Sequence, residues 1–321
     1  MHKFLVSALI ATGAVAALPA AAHAAPSCTF STALQRGTRS ADVTCLETLL
    51  VDLGYKLVGP DTFFGLSTDK AVRAYQTTSK LVVDGIVGKQ TGKSLGLWAA
   101  TPVETVPAVL IESKTIGTSV GGKSIVANRY GTKGGRVVLV VGVIHGNESK
   151  GALITQALAK TPLPKGVDLW LVDSMNPDGQ AADVRTNKNE VDLNRNFGTG
   201  WGYIPKSTTN HQYSGEKAAD QPETQAMQVF IADIKPALTI FYHQDLNTVG
   251  GSSATAKKYA KLAGMTTSNV GCTTQCTGTA GAYVKATSGS ALLVELPGSA
   301  KFTDATTATH VAAVLGVALG T

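Results

Sequence analysis

The sequence predicts an α/β domain, with a mostly parallel sheet covered by helices, preceded by a small helical bundle. Four short and nearly unbroken apolar runs, Val137 to Ile144, Leu169 to Val172, Leu238 to Tyr242 and Ala291 to Val294, read as strands buried on both faces. Helical candidates lie between them, among them Gly151 to Ala159 and a segment opened by Gln221-Pro222-Glu223-Thr224, where Pro222 suits a first helical position. That alternation is the mark of a parallel sheet with helices on its faces. Upstream, Leu46, Leu49, Leu50 and Leu53, then Ala71, Val72 and Tyr75, recur at helical spacing.

Composition narrows the class before any motif is read. The chain has 321 residues, enough for about two domains. Charged residues make up only 16%, which excludes a highly charged disordered chain, and its 34 glycines follow no Gly-x-y period, which excludes collagen. At the N-terminus, Lys3 precedes an apolar stretch from Phe4 to Leu18, followed by Ala22-His23-Ala24. Residues 1–24 are therefore expected to be a secretory signal peptide, too short in its apolar part to span a membrane. Cys28 lacks a small-residue lipobox before it, so no membrane anchor is expected after cleavage. The mature protein is expected to be exported, to a periplasm or beyond the cell, and to be a monomer.

Loss of Lys3 with the leader lowers the formal charge from +6 to +5 and leaves no run of Lys or Arg. Such a balance suits an anionic cell surface, and no nucleic-acid partner is expected. The cysteines fall into two local couples, Cys28 with Cys45 and Cys272 with Cys276, which in an exported chain favours two disulfides. A metal site on CTTQC would need two further soft ligands, and none is evident.

Residues 99–107, AATPVETVP, mix small residues with Pro102 and Pro107 and carry no periodicity, so they are expected to link a domain at 28–98 to one at 108–321. The first domain contains a weak repeat: Asp61-Thr-Phe-Phe-Gly65-Leu-Ser-Thr68 returns as Asp84-Gly-Ile-Val-Gly88-Lys-Gln-Thr91. Each copy places a turn before a Thr suited to cap a helix. The string through Gly37, Leu46, Leu50, Gly54-Tyr55, Phe64-Gly65, Thr68, Tyr75-Gln76 and Asp84-Gly85-Ile86-Val87-Gly88 resembles the three-helix peptidoglycan-binding domain of secreted bacterial wall enzymes. It departs at Thr62, where that family usually has Gly.

In the second domain the polar residues that end the apolar runs carry the chemistry. His145-Gly-Asn-Glu148 follows the first run, His243 follows LTIFY and Glu295 follows ALLV. Sites in open α/β sheets form outside the carboxyl ends of strands, where all four residues lie. Zinc needs three His or carboxylate ligands with one position open to water, and His145, Glu148 and His243 supply two His and one Glu. Glu295 is then available as a base. The mature chain has four histidines, and His211, in the loop NHQYSG, and His310, in an expected C-terminal helix, read as structural or surface residues. Asn176-Pro-Asp-Gly179, Arg185 and Asp192-Leu-Asn-Arg-Asn-Phe197 add anion recognition, because the guanidinium fork matches a carboxylate.

Taken in order, GRVVLVVGVIHGNE, NPDG, Arg185, VDLNRNF, FYH and VELP resemble the zinc carboxypeptidase family, most closely its murein peptide amidase branch, from about Thr115 to Pro297. The resemblance implies a mixed, mainly parallel sheet between helices and one Zn2+ per chain on His145, Glu148 and His243. It implies Glu295 as general base then acid, Arg185 polarising the carbonyl, and Asn194 and Arg195 receiving a substrate carboxylate. The expected substrate is peptidoglycan or its stem peptides, cut at the γ-D-glutamyl to diaminopimelate bond. Alternatives are a carboxypeptidase on general peptides, a zinc deacylase of the aspartoacylase type, and an inactive wall-binding protein. Glu190 stands where the family has Gly, and Gln244-Asp245 where Pro or Leu follows the histidine. Tyr283, the tyrosine nearest before Glu295, is expected to line the pocket rather than to act in catalysis.

Overall fold

The computed structural model describes residues 28–99, 103–209, 211–269 and 276–320. The expected leader and Cys272 lie outside the described residues, and so does any pairing of Cys272. The second of two compact units begins at Val103. No helix among the described residues is long and apolar enough to cross a membrane.

The first unit is built on α1 (Ala41–Asp52), α2 (Leu66–Thr78) and α3 (Lys89–Leu95). Val43, Leu46, Leu50, Val72 and Val87 meet Phe64 and Leu97 in its core, and Cys28 and Cys45 are joined by a disulfide. The repeat has a common hydrogen-bond plan. Asp61 accepts from the Phe63 N–H at 2.5 Å, as Asp84 does from the Ile86 N–H at 2.9 Å. A buried side chain on the preceding helix ties each turn down. Glu47 accepts from the Asp61 N–H and the Thr68 hydroxyl, whereas Gln76 donates to Asp84 and Thr91 and accepts from the Gly85 N–H. The two threonines therefore do not cap. Gly65 and Gly88 hold the cap positions without a side-chain bond, and Thr68 and Thr91 sit buried two residues inside the helices that follow. Partners from the neighbouring helix outcompete the local capping bond.

The second unit opens with β1 (Thr105–Val106), then β2 (Leu110–Thr118), β3 (Ser124–Gly131), β4 (Arg136–Val141), α4 (Gly151–Leu158), β5 (Leu163–Pro164), β6 (Val167–Val172) and α5 (Pro177–Ala182). After a 3-10 turn at Leu193–Arg195 come α6 (Pro222–Ile234), β7 (Leu238–Gly250), α7 (Ala254–Ala263), β8 (Thr266–Ser268), α8 (Ala280–Thr287), β9 (Ser290–Pro297) and α9 (Asp304–Ala318). The main sheet runs β2-β3-β6-β4-β7-β8, with β9 also paired to β7. Its centre, β6-β4-β7-β9, is parallel, and β2 and β3 add an antiparallel edge. β1 pairs with β5 apart from this sheet.

The unbroken apolar runs are explained by alternation. Val138, Val140, Leu169, Leu171, Ile240 and Tyr242 meet Ile154, Leu158, Tyr259 and Val314 of α4, α7 and α9. Leu139, Val141, Trp170, Val172 and Phe241 meet Met227, Phe230 and Val284 of α6 and α8. Side chains on a strand point to opposite faces in turn, so a strand covered on both sides has no polar position to spare.

Candidate active site

β4 ends at Val141, and Gly142 to Ile144 carry the chain to His145. The turn that follows is fixed from outside. A side chain at Gly146 would place its first carbon 1.9 Å from the Gly179 carbonyl carbon, so the HGNE turn and the NPDG turn touch backbone to backbone. Asn176 cements the contact: its amide donates to the Ile144 carbonyl at 3.2 Å and the Arg185 carbonyl at 3.4 Å, and its oxygen accepts from the Gly179 N–H at 3.0 Å. The two motifs are thus one structural object that sets both Glu148 and Arg185.

His145, Glu148 and His243 are buried and converge, with a ligand atom from each within 4.8 Å of the others. His145 Nδ1 and His243 Nδ1 stand 3.2 Å apart, and the Glu148 oxygens lie 2.9 Å from each of them. Two nitrogens bound tetrahedrally at the ~2.0–2.1 Å of zinc–imidazole bonds would be about 3.3 Å apart, so the spacing fits the metal. The proton inventory fits too. Asp192 Oδ1 lies 3.0 Å from His145 Nε2 and can only accept there as a carboxylate, so that nitrogen carries the hydrogen and Nδ1 keeps its lone pair for a cation.

Asp192 is the hub behind this set. It is fully buried and caps the 3-10 turn by accepting from the Asn194 N–H at 2.9 Å, while its other oxygen takes Arg185 Nε at 3.0 Å and Nη2 at 2.9 Å. Burial opposes its ionisation, yet His145 and Arg185 outweigh that and hold its carboxyl far below the ordinary range. Glu148 behaves alike: burial is overcome by His145 and His243, and its carboxyl is held well below the usual range. Burial also lowers the pKa of His243, whereas in His145 Asp192 and Glu148 override burial and raise it.

Glu295 enters from β9, paired in register with His243 of β7. Its Oε2 is buried without a hydrogen-bond partner among the described residues, and burial, with the Glu148 charge adding to it, pushes the carboxyl up to about 7. It therefore exchanges a proton near neutrality, unlike Glu148.

His145, Glu148, Arg185, Asn194, Arg195, His243 and Glu295 all line one cavity of ≈ 790 Å³. Arg185 is held by Asp192 and also donates from Nη1 to Glu148 at 3.1 Å. Arg195 is buried, its Nη1 bound to the Asn194 carbonyl at 2.8 Å, and its Nε has no partner among the described residues. Asn194 turns its side-chain oxygen to the Ala280 N–H at 3.0 Å, which fixes the start of α8 beside Arg195.

The departures noted in the sequence have structural answers. Glu190 has φ 63°, a left-handed conformation natural to Gly, and its side chain stays exposed and pairs with Lys206. Gln244 accepts from the Lys150 N–H at 3.1 Å and ties β7 to the start of α4. Tyr283 does not line the cavity. Gly281, Ala282 and Lys285 occupy the cavity face of α8, while Tyr283 packs on Phe197 and donates its hydroxyl to the Gln228 carbonyl at 3.1 Å. His211 is exposed and does not line the cavity, although its neighbour Gln212 does, and His310 is buried on α9, its Nδ1 2.8 Å from the Tyr259 hydroxyl, which in turn meets Tyr242.

Comparison with known proteins agrees with this geometry. Residues 103–250 match the family described as zinc carboxypeptidase, and residues 39–95 match the peptidoglycan binding domain. Murein peptide amidase A of Escherichia coli K12 is 30% identical over 118 residues, which are 34% of this chain and 49% of that protein, so the chain spans about half the length of this curated relative. Among solved structures, murein-tripeptide amidase MpaA from Escherichia coli O157 superposes with a TM-score of 0.56 at 21% identity, covering 69% of this chain and 99% of that one. Carboxypeptidase A from Helicoverpa armigera gives a TM-score of 0.54 at 19% identity, covering 86% and 78%. These two likenesses establish the fold.

Proposed function

From the premise that this chain joins a zinc carboxypeptidase domain to a peptidoglycan-binding domain, we propose that it is an exported hydrolase of peptidoglycan stem peptides that cuts the γ-D-glutamyl to diaminopimelate amide. The observation that carries the reading is a single cavity that brings Glu295 together with a two-His, one-Glu cluster and two arginines.

His145, Glu148 and His243 would hold zinc, which would supply Lewis-acid activation of the attacking water. Glu295 accepts the proton of the water that attacks the amide carbonyl and returns it to the leaving amine. Arg185, oriented by Asp192, faces the carbonyl oxygen as negative charge develops on it. Arg195, which lines the same cavity, holds the carboxylate of the leaving residue. The wall-binding domain raises the local concentration of stem peptide, into the mM range for a short flexible tether.

Incubation of the zinc-loaded protein with defined muropeptides, read by mass spectrometry, tests this. A stem tripeptide should lose its diaminopimelate residue. Release of C-terminal residues from ordinary peptides, with the stem tripeptide untouched, would replace the reading by that of a general carboxypeptidase.

A further inference from the structure

Two charges on the cavity wall have no part in the reaction just described. Lys285 lies on the cavity face of α8 with Gly281 and Ala282, and Asp245 follows His243 by two residues on β7. Neither makes an ion pair among the described residues. A lysine whose ammonium has no acid beside it, on a wall of otherwise small side chains, leaves both a charge and a space for a ligand.

The position of Lys285 can be placed along the helix. α8 starts at Ala280, pinned to Asn194, and the preceding Gly278 comes so close that a side chain there would meet the Arg195 carbonyl carbon at 2.7 Å. Five residues at 1.5 Å each put Lys285 about 7.5 Å further along the axis from the Arg195 end. Gly281, Ala282 and Ala291 line the same cavity with small side chains. A leaving residue whose first carboxylate rests on Arg195 therefore has room to extend beside α8 towards Lys285.

Resting on the stem-peptide reading above, we infer that Lys285 is a specificity residue that binds a second, distal carboxylate on the leaving residue. The substrate class is an amide whose leaving amino acid carries a carboxylate at each end of its carbon chain. Asp245, an acid on the same wall that makes no ion pair among the described residues, suits the ammonium that diaminopimelate carries beside its distal carboxylate. The same acid repels a carboxylate brought near it, so the wall reads where the charges of the ligand lie, not only their number.

The test uses the full zinc-loaded chain and two stem tripeptides that differ only in the distal carboxylate, one ending in meso-diaminopimelate and one in lysine. Lys285→Met keeps length and helix propensity but removes the charge, and Lys285→Glu reverses it. Wild type should prefer the diaminopimelate substrate. In Lys285→Met, kcat/KM for that substrate should fall about tenfold through KM with kcat held, while the lysine substrate is unaffected, and Lys285→Glu should invert the preference. Equal loss on both substrates, a shift in kcat alone, or a wild type indifferent to the distal carboxylate would overturn the assignment of Lys285 and leave the stem-peptide reading standing. A wild type that cleaves neither tripeptide would overturn both.

Discussion

Asp192→Asn isolates the buried carboxylate behind the zinc ligands. The change keeps shape and volume, but an amide has one accepting oxygen and one donating nitrogen where the carboxylate accepts on both sides. If the Asn oxygen keeps the His145 Nε2 hydrogen and the Asn194 N–H, its nitrogen faces Arg185 Nε and Nη2, donor against donor, and Arg185 is released. If the amide flips, its nitrogen donates to His145 Nε2, and the imidazole hydrogen moves to Nδ1, the nitrogen 3.2 Å from His243 that must bind metal. Neither orientation serves both neighbours. Losing the acceptor behind a ligating histidine costs about 10- to 100-fold in metal affinity or activity, or about 1.4–2.7 kcal/mol. Zinc affinity measured by chelator competition, alongside turnover of a soluble stem tripeptide, reads the two outcomes separately. The first orientation lowers turnover with zinc retained, and the second lowers both. A variant with unchanged zinc affinity and unchanged turnover would refute the role given to Asp192.

Three further outcomes are expected. Glu295→Gln should keep zinc but lose ~10²- to 10⁴-fold in turnover; in zinc-free protein it should also stabilise the fold at pH 8. There the raised carboxyl, at about 7 when folded and 4.5 when unfolded, binds more protons in the native state, so stability falls as pH rises through that window, by about 2 kcal/mol after allowance for partial exposure. His310 has the opposite sign. Burial pulls it from 6.5 to about 4, the unfolded chain binds more protons between those values, and about 3 kcal/mol is lost as pH falls across them. His310→Asn, which keeps an acceptor for Tyr259 but cannot titrate, should flatten that slope in urea unfolding at pH 4 to 7, and an unchanged slope would exclude His310 as its source. Deleting residues 25–100 should weaken adsorption to insoluble peptidoglycan and leave cleavage of a soluble tripeptide nearly intact; undiminished adsorption would remove the wall-binding role from the first unit.

What could be read from the sequence follows from how strongly each residue's neighbours declare it. His145, His243 and Glu295 stand out because each interrupts an apolar run at a strand end, where a polar side chain needs a reason. Asp192 sits between Val191 and Leu193 in a loop, and its partners come from residues 47 and 7 positions away, so nothing local announces it. Lys285 looks like any solvated lysine until α8 is placed against the cavity. β2 is largely exposed along its length and shows little apolar contrast from one residue to the next, so the residues alone do not mark it as a strand, and the mixed sheet is implied only by the resemblance. Thr68 and Thr91 suit caps by a local rule, whereas Glu47 and Gln76 reach them from another helix.

The pairing of His243 with Glu295 across β7 and β9 ties heredity of the site to heredity of the core. Because alternate residues face opposite sides, a slip of one position in β9 would bring Val294 or Leu296 opposite His243 and turn buried Leu292 and Val294 out of their cluster. Insertions and deletions in these strands are thus barred twice, once by folding and once by chemistry. Asp245 of β7 and Lys285 of α8 keep their side chains exposed, outside the packed core. A lineage can rewrite what the cavity accepts by substitution at such positions, while the reacting groups stay where the hydrophobic core keeps them.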